Sequence, residues 1–299
     1  RFDDLPGPWR VIGESAAGRA FGGAMERGEA VRIFTGAAMP AGADSVLVQE
    51  EAERTGDTLL LAGEGPPRRG MSVRRKGLDF ERGAVLIGAG TRLTPAAIAL
   101  AATGGHGALN VNRRLRIAIL ATGDELIAPG TASDDPLALP EGNSAMLAAM
   151  LADLPVDVTV VGIVPDQLDA LVTAFSGARA DIIVTTGGAS VGDHDLVGPA
   201  LEAAGGAVDF WRIAIRPGKP MLAGRLGEAI MLGLPGNPVS AFVTATLFLR
   251  PLIAAMAGAA DPLPRMLRAE LADPLSANDH RQDYLRGTLV DGRVSAAAM

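Results

Sequence analysis

From residue 113 onward, short apolar runs typical of buried strands alternate with segments of helical pattern, and this alternation constrains the fold of the 299-residue chain most strongly. The predicted strands are 115–121, 157–164, 181–185, 207–215 and 229–234, and the predicted helices are 143–153, 167–176, 195–204 and a long helix from Asn237. Chains with this alternation form a mostly parallel sheet with helices on both faces. In such sheets, ligands bind beyond the carboxyl ends of the strands.

The regions on either side of this alternation predict mainly β structure. Residues 1–90 contain alternating strands at 30–34 and 45–49, and a hairpin through the turn signal at 54–57 into a strand at 59–61. Thr94 and Pro95 predict the N-cap and first position of a helix that ends near 104–105. Short strands are expected again at 266–271 and 283–290. The apolar stretch 239–257 is interrupted by Arg250-Pro251, which favours a buried core helix over a membrane span.

Composition excludes several kinds of site. The sequence has no cysteine, which rules out disulfides, thiolate metal sites and cysteine nucleophiles and is compatible with a reducing, cytoplasmic location. A net charge of −7 and an aromatic content of 4% argue against binding to nucleic acid. None of the glycine loops is a P-loop or a G-x-G-x-x-G fingerprint, so a P-loop NTPase or a Rossmann dehydrogenase is disfavoured.

Three glycine-containing loops each follow a predicted strand of the alternating region. They are residues 122–125, 185–195 and 234–240. Glycine lets backbone N–H groups approach an anion closely, and each loop leads towards a helix N-terminus, which favours negative charge. One such loop alone is weak evidence for function, because a tight strand-to-helix turn needs glycine in any case. Three at the same end of one sheet predict a site for a phosphate-bearing ligand.

Charged residues near these loops are candidate ligand contacts. Arg216-Pro217-Gly218-Lys219-Pro220 projects two cations from a rigid turn, either as a solvated surface turn or as an oxyanion clamp. Asp193 and Asp195 are candidate Mg²⁺ ligands for a bound polyphosphate, and a helix N-cap is the alternative for Asp195. Ser190 and Ser240 offer hydroxyl groups, but no general base is adjacent in sequence, so neither is predicted to be a nucleophile.

A cluster of basic residues also lies among glycines of the N-terminal region. A solvated loop is the favoured interpretation of this cluster, and contact with phosphate is the alternative. Its members are Arg68, Arg69, Arg74, Arg75 and Lys76.

The ordered combination of these motifs resembles one known family. The resemblance rests on residues 181–193, on the Arg216–Pro220 turn and on residues 233–240. Further matching segments are 32–37, 42–50, 74–79 and 122–126. Because the matches span the chain in the family's order, the chain resembles the molybdopterin molybdotransferase (MoeA/gephyrin E-domain) family.

This resemblance implies an activity and an architecture. Members insert molybdate into adenylylated molybdopterin and release AMP, the last step of molybdenum cofactor biosynthesis, and Mg²⁺ is associated with the activity. The implied fold is α/β and β multidomain. It has a β-rich N-terminal region at 1–112, which includes a small linking domain at about 1–12 and 91–112. A central doubly wound α/β molybdopterin-binding domain at 113–258 and a truncated C-terminal β domain at 259–299 follow.

Members are elongated homodimers, and the site lies between the α/β domain of one chain and the N-terminal region of the other. A molybdopterin adenylyltransferase is a further candidate partner, and no membrane or nucleic-acid partner is expected. The family's Ser-x-Asp-Gly-Tyr segment would precede Arg1, and most of its C-terminal domain would follow Met299, so we expect this chain to be a piece of a longer protein.

Site residues follow from matching position in the family's motifs. The expected catalytic residues are Asp195, Lys219, Asp124 and Thr35, and the expected metal ligands are Asp195 and Asp193. The expected substrate contacts are Gly187, Gly188, Ser190, Asp193, Arg216, Lys219, Pro235, Asn237, Ser240 and Arg281. Of these, Arg216, Lys219, Ser240 and Arg281 match the set that contacts molybdate. Arg216 stands where many members have Lys, which keeps the charge and changes the geometry of the contact.

Three other functions are compatible with parts of the sequence. The same α/β domain occurs in molybdopterin adenylyltransferases and in a pyridine-nucleotide amidase family. The long β-rich N-terminal half argues against the first, and the loop sequence at 187–193, which lacks a Gly-Pro-Thr motif, argues against the second. A non-catalytic scaffold is the third alternative, but a scaffold alone does not need Asp195 and Lys219 together.

Overall fold

A computed structural model describes residues 1–188 and 195–297 of the chain. The chain divides into two compact units, Arg1–Val85 and Leu86–Met299.

The N-terminal unit is built on a four-stranded sheet. Its strands are β1 (Trp9–Ser15), β2 (Glu29–Ile33), β3 (Ala52–Thr55) and β4 (Thr58–Leu61), with short 3₁₀ helices at Phe2–Asp4 and Gln49–Glu51. The strand order is β2-β1-β4-β3, in which β1 and β2 are parallel and the other pairs are antiparallel. The hairpin prediction is confirmed, because β3 and β4 pair around Gly56 and Asp57.

The predicted strand at 45–49 is wrong. Residues 45–48 form no strand and instead line a cavity of about 570 Å³ in this unit. Residues 45–47 are half-buried and Val48 is exposed, so the alternating pattern of this segment does not reflect one buried and one exposed face of a strand.

Ion pairs engage part of the basic cluster of the N-terminal unit. Arg69 contacts Asp3 at 2.5 Å and Asp44 at 3.4 Å, and Arg74 contacts Asp79 at 2.7 Å. These two arginines therefore have structural partners within their own unit.

The second unit contains a six-stranded sheet with helices on both faces. Its helices are α1 (Pro95–Thr103), α2 (Asn143–Leu151), α3 (Leu168–Gly177), α4 (Val197–Ala203), α5 (Pro238–Thr244) and α6 (Arg250–Met256), with a π-helical segment Ala245–Leu249 between the last two. Its strands are β5 (Leu115–Thr122), β6 (Leu126–Ile127), β7 (Leu139–Pro140), β8 (Val156–Val164), β9 (Ile182–Thr186), β10 (Ala207–Trp211), β11 (Ile215–Arg216), β12 (Leu222–Leu226), β13 (Ala229–Leu234), β14 (Glu270–Leu271), β15 (Gln282–Asp283), β16 (Gly287–Val290) and β17 (Arg293–Ala296).

The order of the six strands is β10-β12-β13-β9-β5-β8. Strands β8, β5, β9 and β13 are mutually parallel. Strand β12 pairs antiparallel with β13, and β10 pairs antiparallel with β12. The carboxyl ends of the four parallel strands therefore share one end of the sheet, called the carboxyl end below. The opposite end, where these strands begin, is called the amino end.

Alternate residues of the central strands pack into two separate cores. Ile182 and Val184 of β9 face a core shared with α2, α6 and the π-helical segment, while Ile183 faces a core shared with α3 and α4. All three residues have no exposed surface. Burial on both faces explains the continuous apolar runs of the parallel strands.

Several boundaries differ from the sequence prediction. The predicted strand 207–215 breaks into β10 and β11, and the predicted strand 266–271 is reduced to β14. Strand β12 was not predicted, because its two-sided pairing with β10 and β13 is a long-range property that a five-residue run does not reveal. Thr94 caps α1 as predicted, since its side chain accepts a hydrogen bond from the Ala97 amide.

The predicted long helix after Asn237 is present as α5, the π-helical segment and α6. Among the described residues, Pro238–Met256 is the one helical stretch long and apolar enough to cross a membrane by length and composition alone. Ala241, Leu249 and Ile253 on this stretch have no exposed surface, and the latter two belong to the core shared with α2. This burial agrees with a core helix.

Candidate functional site

The three glycine loops meet at the carboxyl end of the sheet. They follow β5, β9 and β13, which are neighbours in the strand order. A Cβ atom added to Gly187 would lie 2.2 Å from the Thr122 carbonyl oxygen, and one added to Gly236 would lie 3.4 Å from the Gly187 Cα. The Gly187 amide also donates a hydrogen bond of 3.3 Å to the Leu234 carbonyl. The expectation that these loops converge is confirmed.

Glycine at 187 is required twice over. Its φ of +88° lies in the left-handed region, which residues other than glycine rarely adopt. The loop after β9 also packs so closely on Thr122 that no Cβ fits there. The backbone at Gly187 therefore lies in direct contact with the loop after β5.

Aspartates lie just beyond the carboxyl ends of two of the parallel strands. Asp124 follows β5, and its Oδ1 accepts a hydrogen bond of 3.2 Å from the Asp166 amide. Asp166 follows β8, and its Oδ1 accepts a hydrogen bond of 3.4 Å from the Thr122 hydroxyl. Sequence analysis missed Asp166, although its position just after a predicted strand at the carboxyl end was a usable signal.

Asp195 has a carboxyl group with a raised pKa. Burial raises its pKa to about 6, and the charge of Asp166 acts in the same direction, while the Val197 amide opposes the rise. Both carboxylate oxygens are buried, and within residues 1–188 and 195–297 neither has a hydrogen-bond partner of standard geometry. Burial of a carboxylate without hydrogen bonds of standard geometry is costly, and such groups are concentrated at functional sites, so Asp195 is a candidate site residue.

The N-cap alternative for Asp195 does not hold. Helix α4 begins at Val197, its N-cap is Leu196, and no side chain caps it. Asp195 is therefore not the N-cap residue of α4, although the Val197 amide at the start of that helix still lowers the pKa of its carboxyl.

The third loop is ordered by two asparagines. The Oδ1 atom of Asn237 accepts hydrogen bonds from the Val239 amide at 3.0 Å and the Ser240 amide at 3.2 Å, so Asn237 is the N-cap of α5. The Nδ2 atom of Asn143, which sequence analysis missed, donates a hydrogen bond of 2.7 Å to the Gly236 carbonyl. Pro235 is buried, and Ser240 is half-buried in the first turn of α5.

The cationic turn lies at the same end of the sheet. Leu222, at the start of β12, pairs with Gly233 near the carboxyl end of β13, so the turn at 216–220 precedes β12 at that end. A Cβ on Gly218 would lie 2.5 Å from the Thr244 Cγ2, which places the turn against α5. Lys219 is exposed, and among the described residues it has no ion-pair partner.

Arg216 and Arg281 meet at one carboxylate. Strands β11 and β15 pair in parallel, which brings the segment 279–283 alongside Arg216. The Arg216 Nη2 lies 2.8 Å from the Asp279 Oδ2, and the Arg281 Nη2 lies 2.7 Å from the same oxygen. The Arg216 Nη1 lies 3.3 Å from the Asp283 Oδ2. Two of the predicted oxyanion contacts are thus adjacent, although both are engaged by acids.

Three of the predicted site residues lie in the N-terminal unit or outside the described residues. Thr35 is exposed in a turn after β2 in the N-terminal unit, where the Ala37 amide donates a hydrogen bond to the Phe34 carbonyl. Ser190 and Asp193 lie outside the described residues.

A magnesium ion fits the acidic group in part. Across residues 1–188 and 195–297, no cluster of three or more His, Cys, Asp or Glu side chains could hold a metal. Mg²⁺ usually needs only one or two carboxylates, since substrate phosphates and water complete its coordination. The two unpartnered oxygens of Asp195, with the Asp166 charge nearby, meet that smaller requirement.

The fold is that of an α/β protein with a doubly wound sheet, and glycine loops, aspartates and cations lie together at the carboxyl end of its parallel strands. Residues 118–255 match the family model "Probable molybdopterin binding domain", and residues 1–105 match "MoeA N-terminal region (domain I and II)". The structure resembles that of a molybdopterin biosynthesis MoeA protein from Pyrococcus horikoshii, with a TM-score of 0.76 and 29% identity, over 98% of this chain and 73% of that one.

Curated relatives lead to the same family. The molybdopterin molybdenumtransferase of Haemophilus influenzae is 38% identical over 250 residues, which cover 83% of this chain and 61% of the relative. That of Nostoc is 35% identical over 310 residues, which cover 98% of this chain and 70% of the relative. The chain belongs to the molybdopterin molybdenumtransferase family. It spans less than two thirds of the Haemophilus relative's length.

Proposed function

We propose that this protein inserts molybdenum from molybdate into adenylylated molybdopterin and releases AMP, the final step of molybdenum cofactor biosynthesis. The observation that carries the proposal is the meeting of three glycine loops, an unpartnered buried Asp195 and the Arg216–Lys219 turn at one end of the sheet. Family membership supports the same conclusion.

In this proposal the loops hold the pyrophosphate of the ligand. The backbone at Gly187 and Gly188 approaches the phosphates closely because neither residue has a side chain, while Pro235 and Asn237 fix the neighbouring loop. Ser190, by its position in the loop after β9, adds a contact to the adenylylated ligand.

Asp195 and Asp193 are the proposed Mg²⁺ ligands, and Asp166 supports them electrostatically. When bound, Mg²⁺ offsets the negative charge that develops on the pyrophosphate. With a pKa of about 6, Asp195 is mostly ionised at pH 7 and able to bind a cation. Asp124 holds the Asp166 segment through the Asp166 amide.

Arg216, Lys219, Ser240 and Arg281 are the proposed contacts of molybdate. Charge-assisted hydrogen bonds from these side chains hold the dianion beside the pyrophosphate, which makes the reaction effectively intramolecular. A molybdate oxygen then attacks the AMP phosphorus, the phosphoanhydride bond breaks, and the pterin phosphate is the leaving group. The two dithiolene sulfurs of the pterin then bind molybdenum, and the oxygen that bridges molybdenum and phosphorus departs with AMP.

The proposed function also implies a domain arrangement, an oligomeric state, a source of the ligand and a cellular location. We propose domains at 1–112, 113–258 and 259–299, and a homodimer in which Thr35 from one chain serves the site of the other. Molybdopterin adenylyltransferase is the proposed supplier of the ligand, and the cytoplasm is the proposed location.

The proposal is tested by AMP release from adenylylated molybdopterin on addition of molybdate. Asp195→Ala and Lys219→Ala are each expected to lower the rate at least about 100-fold, because each removes a charge that faces the reacting groups. Matched controls are Asp169→Ala in the first turn of α3 and Arg225→Ala, whose side chain pairs with Asp209 at the amino end of the sheet. Undiminished release in both site variants would overturn the site assignment, and no binding of the pterin nucleotide would overturn the function.

A further inference from the structure

The Asp279 carboxylate sits between the two arginines that the proposed function assigns to molybdate. Its Oδ2 atom accepts hydrogen bonds from Arg216 and Arg281 together, at 2.8 and 2.7 Å. The Arg281 Nε lies 3.2 Å from its Oδ1, and the Arg281 amide donates to the same oxygen at 2.8 Å. One carboxylate therefore occupies the space on which both guanidinium groups converge.

The two acids of this group differ in how firmly they are held. The Asp283 side chain is 13% exposed and belongs to β15, which pairs with β11. The Asp279 side chain is 40% exposed and lies in a segment, 274–279, without regular secondary structure. Asp283 is thus a fixed partner of Arg216, whereas Asp279 can move away by a change in its own side chain and loop.

Charge sets what can replace Asp279. With both acids in place, the group of two arginines and two aspartates is neutral. An incoming anion that displaces the Asp279 side chain must gain more from the two guanidinium groups than the carboxylate loses. A tetrahedral dianion presents two charges and several oxygens to both guanidinium groups at once. A monoanion presents a single charge, which Asp279 already provides.

We propose that Asp279 is a specificity-determining residue. Its carboxylate, tethered to the chain, fills the oxyanion position between Arg216 and Arg281 and is displaced by dianions but not by monoanions. A tethered group competes at an effective concentration in the mM range, which is enough to exclude weakly bound cellular monoanions. The inference rests on the proposed function, because it assumes that molybdate binds at these arginines.

The test is the binding of anions to the ligand-free protein by isothermal titration calorimetry. Asp279→Asn removes the competing charge and keeps the side-chain shape, so the Kd for molybdate should fall about tenfold. Acetate, a monoanion, should bind the variant measurably and the wild type not at all. Asp279→Glu, which retains a carboxylate, should keep the wild-type discrimination. Asp273→Asn is the matched control, because it removes one exposed charge nearby from a residue with no ion-pair partner among the described residues.

A purely structural role for Asp279 gives the opposite sign. If Asp279 only holds the arginines in place, Asp279→Asn weakens molybdate binding, and that result would overturn the inference. So would equal affinities in wild type and variant. In AMP release, the KM for molybdate should fall while kcat stays unchanged.

Failure of the proposed function has a different signature. If neither wild type nor Asp279→Asn binds molybdate, the oxyanion site itself is wrong, and the inference fails with it. If both bind molybdate and only the difference between them is missing, the inference alone fails.

Discussion

The two ends of the six-stranded sheet treat carboxylates in opposite ways. Asp181 directly precedes β9 at the amino end, where its side chain accepts hydrogen bonds from Arg113 at 2.7 and 2.8 Å and from the Arg116 amide at 2.8 Å. The Arg113 guanidinium, with Arg116, holds the pKa of that carboxyl far below its usual range. Asp195 follows the same strand at the carboxyl end, where burial raises its pKa to about 6.

The difference separates a structural carboxylate, Asp181, from Asp195, to which the proposed function assigns a metal. At the amino end every oxygen of Asp181 has a cationic or amide donor, so the charge stabilises the fold. At the carboxyl end the Asp195 oxygens have no hydrogen bond of standard geometry among the described residues, and the Val197 amide only partly offsets the effect of burial, so ionisation of Asp195 opposes folding. Costs of this kind are concentrated at functional sites, where a ligand or metal supplies the missing partner.

Gly187→Ala should have the largest effect on stability, because it places a Cβ atom where the backbone at Gly187 contacts the loop after β5. The added Cβ would lie 2.2 Å from the Thr122 carbonyl oxygen at a φ of +88°. Overpacking and backbone strain together are expected to lower the free energy of unfolding by about 3–5 kcal/mol. Urea denaturation measures this loss.

Gly205→Ala is the matched control for that substitution. Gly205 has a similar φ of +85°, but nothing lies within 4 Å of an added Cβ. Only the backbone strain remains there, at about 1 kcal/mol. Equal losses in the two variants would show that the contact with Thr122 is not what holds the loop.

Asp181→Asn tests the amino end and should have an intermediate effect. Loss of the charge-assisted hydrogen bonds is expected to lower the free energy of unfolding by about 2 kcal/mol at pH 7. The pKa of Asp181 is lower in the folded chain, so its contribution is present above about pH 4 and disappears as the pH falls further. Wild type and variant should therefore converge in acid.

The control for Asp181 is an exposed ion pair at the same end of the sheet. Asp157 pairs with Arg114 at 2.6 Å, and both side chains are largely exposed. Asp157→Asn is expected to cost less than about 1 kcal/mol. A loss as large as that of Asp181→Asn would contradict the distinction between the two acids.

Asp195→Asn should have the smallest effect on stability and the opposite sign. The carboxyl pKa rises from 3.8 in the unfolded chain to about 6 in the folded one, so ionisation opposes folding. The penalty is absent below about pH 4, grows between pH 4 and 6, and is complete above pH 6. Discounted for solvent screening, the variant should gain about 1 kcal/mol at pH 7–8.

Thermal unfolding from pH 4 to 8 measures this gain, and AMP release should be lost in the same variant. Asp169→Asn, on the exposed first turn of α3, is the control and should change neither quantity. A destabilised Asp195→Asn at pH 8 would show that the carboxylate has a structural partner and would end the comparison with Asp181.

Local patterns predicted most of the elements of the second unit. The parallel strands and the helices between them are within about two residues of their predicted bounds, because apolar periodicity and capping residues act over short ranges. The Thr94 cap and the hairpin at Gly56 were predictable for the same reason. Strand β12 was missed because its identity depends on neighbours on both sides.

The site was predictable in its loops but not in its pairings. Gly187, Asp195 and Arg216 stand out in the sequence because each follows a strand-like run. Asp166 and Asn143 do not, because their importance comes from contacts with Asp124 and Gly236 across the sheet.

The sequence by itself determined that strands and helices alternate, which loops carry glycine and charge, and to which family the chain is similar. Only the tertiary structure decided that the Asp195 oxygens are buried, with no hydrogen bond of standard geometry among the described residues. It likewise decided that Asp279 lies between Arg216 and Arg281, 63 residues from the former. The physical reason is range. Periodicity and capping are fixed by residues a few positions apart, whereas desolvation and ion pairing depend on which distant segments the sheet brings together.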